Sequence, residues 1–143
     1  MFLSPKRKDA LMSVISLAKE RREVMAEEGI ATLSAEAIRD HMDPGKYKEE
    51  RQLSSALYEY LMQLPFEEVK FIQTVMYIGR DESLVKNTYA ERLFNEVYAS
   101  LRWATKDVEA KKIVEKAPLD KYLSRGIELM AGTLTVAHHS ELL

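Results

Sequence analysis

"LPFEEVKFIQTVMYIGRDES", Leu64 to Ser83, decides how the chain reads. Pro65 breaks the helix before it and opens a new one. Glu67 and Glu68 then fall in the first turn, where negative charge meets the positive end of a helix dipole. Val69, Ile72, Val75 and Met76 recur at helical spacing, so the segment predicts a helix with an apolar face. Gly79 is expected to end that helix in the left-handed conformation that suits glycine. Asp81 fits the N-cap of the next helix, and Arg80 lies near the carbonyl end of the one just closed. The triplet therefore predicts a helix–corner–helix. The same geometry offers an anion the Arg80 guanidinium and free N–H groups, although Asp81 and Glu82 already bring negative charge there.

Outward from this stretch the pattern stays helical. Ser4 as N-cap, Pro5 at the first position and Gly29 as a stop frame a first helix. Leu11, Val14, Ile15, Ala18 and Met25 line one of its faces, and Lys19 to Glu23 supply charge around the other side. A short helix is expected from Ser34 to Met42, closed by the turn Asp43–Pro44–Gly45. The third, from Lys46 to Gln63, carries Leu53, Leu57, Tyr60 and Leu61. After the corner, a long helix from Glu82 to Ala104 presents Val85, Tyr89, Leu93, Val97 and Leu101 at i+4 steps. Thr105 caps a shorter helix from Lys106 to Lys116. Pro118 starts a last one, with Leu119, Leu123, Ile127 and Met130 on one side. Residues 132–143 read as a loose tail. No run alternates with period 2, and no linker divides the chain. The expectation is an all-α domain over residues 1–131, of six to seven helices in a bundle or orthogonal array.

Composition sets the function classes aside in turn. The chain has 143 residues, enough for one sizeable core, and its 46% apolar and 31% charged residues have the balance of a soluble globular protein. No apolar run approaches the roughly 20 residues of a membrane span. The charged, amphipathic N-terminus does not read as a signal peptide. Without cysteine there is no disulfide, thiol nucleophile or cysteine zinc site, and a cytoplasmic home is the default expectation. A net charge of −2, with Lys6, Arg7 and Lys8 as the densest basic cluster, disfavours nucleic acid.

Candidate chemistry is sparse. Glu27 with Glu28, and Glu67 with Glu68, are adjacent and so diverge by about 100° on a helix, which leaves no convergent carboxylate pair. Asp40 to Asp43 and the adjacent His138 and His139 lack recognisable zinc-ligand spacing, so no metal or other cofactor is expected. Neither a nucleophile elbow nor a phosphate-binding glycine loop occurs. The reading therefore leans away from an enzyme. Aromatic residues attract more interest. Tyr60 is expected inward and its near neighbour Tyr58 partly outside, and Arg102 with Trp103 closes the fifth helix with a cation beside an indole. Exposed Tyr, Trp and Arg are enriched at protein interfaces.

The stretches "LPFEEVKFIQTVMYIGRDE" and "APLDKYLSRGIELM" together resemble an uncharacterised bacterial helical domain family. That family has a hydrophobic run ending in Gly-Arg-Gly-Asp and a final Pro-Leu-x-x-Tyr-Leu-x-x-Gly helix. Pro118, Leu119, Tyr122, Leu123 and Gly126 match the second pattern. Gly79, Arg80 and Asp81 match the first without its second glycine, which suggests a stiffer corner. The resemblance spans Pro65 to Met130 and implies a helical fold, with no activity or site residues attached. The leading expectation is a small cytoplasmic protein that binds another protein or itself, as a homodimer, through Tyr58, Arg102 and Trp103. The runner-up is a small-ligand or anion-binding module, or a minor enzyme, centred on Arg80 and Asp81. A DNA-binding regulator ranks below both, because the second helix of the candidate helix-turn-helix mixes acids with bases.

Overall fold

The computed structural model describes the backbone of residues 4–27, 43–81 and 90–142, and the side chains of 4–26, 43–81 and 90–130. The expected Gly29 stop, the short helix over 34–42, the Glu27–Glu28 pair, Val85 and Tyr89 lie outside what is described. So do the start of the long helix and the side chains of His138 and His139. Within the described residues every regular element is an α-helix. Six helices follow one another: α1 (Pro5–Glu27), α2 (Pro44–Gln63), α3 (Phe66–Arg80), α4 (Ala90–Ser100), α5 (Lys106–Glu115) and α6 (Leu119–Leu142).

Local chemistry explains the starts. Ser4 caps α1, its hydroxyl accepting from the Arg7 N–H at 3.3 Å. Thr105 caps α5 in the same way, accepting from the Val108 N–H. α2 begins at Pro44, ahead of the expected Lys46. Asp43 is its N-cap, accepting from the N–H groups of Gly45 and Lys46, and Pro44 takes a first-turn position where its missing N–H costs nothing. The Asp-Pro-Gly stretch is thus a helix start and not a turn. α4 ends at Ser100, so Arg102 and Trp103 stand in an extended link and not at the close of a helix running to Ala104. The last helix also runs to Leu142, past the expected end at Gly132.

α3 is the axle of the molecule. Val69, Phe71 to Met76, Ile78 and Gly79 are all buried, which covers every side of the helix. A helix closed in on all sides lies inside a core, not on its surface. Its most extensive neighbour is α6, with α4 and α5 also against it, while α1 packs on α2 and α6. Leu11 and Val14 of α1, Leu57 and Leu61 of α2, Leu93 of α4, Ile113 of α5 and Leu123 of α6 complete one continuous core.

Gly79 has a different part from the one expected. It lies inside α3, which continues to Arg80 and closes on Asp81, whose N–H donates to the Tyr77 carbonyl at 2.9 Å. A methyl group at Gly79 would meet the Tyr122 carbonyl oxygen at 1.7 Å and the Gly126 nitrogen at 2.8 Å. One at Gly126 would meet the Val75 carbonyl oxygen at 2.3 Å. Glycine is required here for close approach of two backbones, not for a left-handed turn. The stretches around Gly79 and Gly126 are the two halves of this crossing.

Candidate functional site

The corner at the end of α3 is occupied by its own chain. Arg80 donates from Nε to Asp81 Oδ1 at 3.2 Å, and its guanidinium lies over the Tyr77 ring, 4.6 Å from the centroid. The hydrogen bond and charge of Asp81 raise the Arg80 pKa above its already high ordinary value. Beside it a cleft of about 410 Å³ opens between α3 and α4, with Leu93, Glu96 and Val97 on the α4 side. Arg80 therefore borders a cleft, with its guanidinium already engaged by Asp81 and Tyr77.

The aromatic residues separate into two places. Tyr58, half-buried on α2, donates its hydroxyl to Asp107 on α5. Asp107 also takes Lys111 Nζ at 3.2 Å. The bond to Tyr58, then that to Lys111, holds the Asp107 carboxyl below its usual value; the same bond from the other side pushes the Tyr58 phenol up. Tyr60 is half-buried too, so the two tyrosines share the edge of the core.

Trp103 belongs to an aromatic ladder running out from the core. Phe71 of α3 meets Phe94 at 5.3 Å, Phe94 meets Tyr98 at 5.9 Å, and Tyr98 meets Trp103 at 5.1 Å between centroids. Lys70 Nζ lies 5.7 Å from the Trp103 ring and 4.5 Å from that of Phe66. Tyr98 donates to Glu67 at 3.3 Å. The indole is thus backed on one side and half-exposed on the other, with exposed Arg102 beside it. Tyr58 lies in the α2–α5 groove, apart from that ladder.

Two further groupings were hidden from a reading of the sequence. Arg21, only 7% exposed, donates to the Val114 carbonyl at 2.7 Å, the Lys116 carbonyl at 3.1 Å and Ser54 Oγ at 3.3 Å. It satisfies the carbonyl end of α5 from α1, and burial lowers its pKa against the pull of Glu50 and Asp120. Its placement corrects the expectation that Lys19 to Glu23 all face outward. The signal was present: Arg21 follows Ala18 by three residues and precedes Met25 by four, on the apolar face itself. Lys106 does for α2 what Arg21 does for α5, donating to the carbonyls of Met62 at 2.7 Å and Leu64 at 3.1 Å. No spacing in the sequence links Lys106 to Met62.

Among the described residues no group of three or more His, Cys, Asp and Glu could hold a metal ion, and no helix is long and apolar enough to cross a membrane. The comparisons add no relative: no protein-family model, no curated protein and no solved structure matches the chain.

Proposed function

We propose that this chain is a helical protein-binding module, cytoplasmic and without catalytic activity of its own, whose first partner is a second copy of itself. One observation carries the reading. The link between α4 and α5 presents solvent-exposed Arg102 beside the half-exposed Trp103 ring, and that ring is held from behind by Tyr98 and Lys70. Trp and Arg are among the side chains enriched at the interface positions that dominate binding energy. Fixing the ring beforehand lowers the entropy lost on contact. Arg102 is exposed and makes no hydrogen bond or ion pair with any described residue, so its replacement tests binding more than folding. Arg102→Glu is expected to weaken association at least about tenfold, in line with the loss of one interface anchor. Concentration-dependent sedimentation of parent and variant reads this. Equal behaviour of the two proteins would remove this surface from the proposal.

The ligand-binding reading at Arg80 draws support from the cleft that Arg80 borders. Against it stands the engagement of the guanidinium by Asp81 and Tyr77. An anion there has to displace Asp81 before it gains Arg80. A thermal-shift panel of anions on the parent and on Arg80→Ala separates the cases, and a panel without any shift in the parent removes this reading.

A further inference from the structure

The groove between α2 and α5 holds an open volume of about 440 Å³, within the range of small-molecule sites, and neither the corner nor the aromatic ladder uses it. The two helices run antiparallel. Lys106 reaches Met62, Tyr58 reaches Asp107, and Arg21 bridges Ser54 to Val114. One buried polar group, Ser54, lies in its floor. Ser54, 6% exposed, accepts from Arg21 and donates to Glu50 at 2.9 Å, so both of its hydrogen-bonding directions are fixed. The wall formed by α2 is a single ridge of Arg51, Ser55 and Glu59, each four residues from the next. Arg51 and Glu59 are exposed and form no ion pair with one another or with any described residue. On the facing wall Lys111 is taken by Asp107, and Glu115 has no ion-pair partner among the described residues.

One uncommitted cation and one uncommitted anion therefore sit on the same ridge eight residues apart. At 1.5 Å of rise per residue their helix positions are about 12 Å apart along the axis. A ligand that satisfies both must carry a negative and a positive end at a matching distance. An amino acid is too short. An extended peptide covers about 3.3–3.6 Å per residue, so about three residues span the ridge. We infer that the α2–α5 groove binds a short free peptide of about three residues, with its terminal carboxylate on Arg51 and its terminal ammonium on Glu59. The Ser55 hydroxyl stands midway for the peptide backbone, and Glu115 accepts from peptide N–H groups across the groove. Arg21 behind Ser54 adds positive potential at the carboxylate end, offsetting Glu50 and Glu115 there. At the ammonium end Asp107 neutralises Lys111 and leaves Glu59 free.

The test uses the full chain with isotope-labelled backbone amides and titrates trialanine, alanine, and trialanine acetylated at its N-terminus and amidated at its C-terminus. Trialanine is expected to shift amides of α2 and α5, with alanine and the doubly capped peptide at least about tenfold weaker, the loss due to charge-assisted hydrogen bonds. Arg51→Ala and Glu59→Ala replace exposed side chains that hold nothing in the fold, and each is expected to weaken trialanine by a similar factor. Ser55→Trp, from an exposed position, is expected to fill the groove and abolish binding. No shift with trialanine, shifts confined to other helices, or equal binding of the capped peptide would overturn the inference. Because none of these variants touches Arg102 or Trp103, failure here leaves the self-association test standing, and the reverse also holds.

Discussion

Arg21 carries a charge into the interior and is held there by backbone carbonyls, not by a carboxylate. Removing it strands the carbonyl end of α5 and leaves Ser54 without its donor. Arg21→Ala is expected to cost about 2–4 kcal/mol, measured by urea unfolding, and Arg21→Lys to recover only part of it because one ammonium cannot span three acceptors. At the surface, Tyr58 and Asp107 tie stability to pH at both extremes. The folded Asp107 carboxyl titrates below its usual 3.8, so its contribution is in place above that pH and is lost as pH falls through its lower folded value. Tyr58 titrates above its usual 10.0 in the folded chain. Past pH 10.0 the unfolded chain releases that proton first, and stability falls as pH rises. Tyr58→Phe is expected to flatten both limbs of the stability–pH curve, and unchanged limbs would count against the bond. Arg21 was legible at this scale only as an interruption of an apolar stripe. Tyr58 was legible as an edge residue. Their partners were not, because Asp107 nears Tyr58 only once α2 and α5 pack, and Val114 nears Arg21 only once α1 and α5 come together.

α3 and α6 meet where Gly79 and Gly126 remove the side chains that would hold them apart. Gly79→Ala or Gly126→Ala forces the added methyl group into backbone that cannot move aside, unlike the end of a flexible side chain. Each is expected to destabilise by about 3 kcal/mol or more, whereas Ser124→Ala, exposed on the same helix, should stay within about 0.5 kcal/mol. Thermal unfolding of the three variants ranks them. α3 also buries Gln73, whose Oε1 has no hydrogen-bond partner among the described residues. Gln73→Leu is expected to raise stability by about 1 kcal/mol, since an apolar group of similar size does not lose hydration without repayment. The existence of α3 could be read from Pro65, the two glutamates and the apolar spacing. Its all-round burial could not, because Gln73 and Thr74 are polar and fall outside the apolar spacing of Val69, Ile72, Val75 and Met76. Gly79 reads as a helix stop because a stop and a close helix crossing leave the same mark in a single sequence.

For the whole molecule, helical periodicity was sufficient to predict an all-α chain, and the described residues form six helices on one core. The candidate site was harder to read, because surface chemistry depends on which helices become neighbours. Arg102 and Trp103 were visible as a pair, but their release from the helix into an exposed link, and the ladder that fixes the ring, depend on where α4 stops. Self-association through that link is the central claim, and light scattering over a range of micromolar concentrations tests it most directly. The expected result is a mass rising from the 16.5 kDa of one chain to twice that value, with Arg102→Glu held at the lower mass over the same range. A parent protein that stays at 16.5 kDa at every concentration would contradict the account.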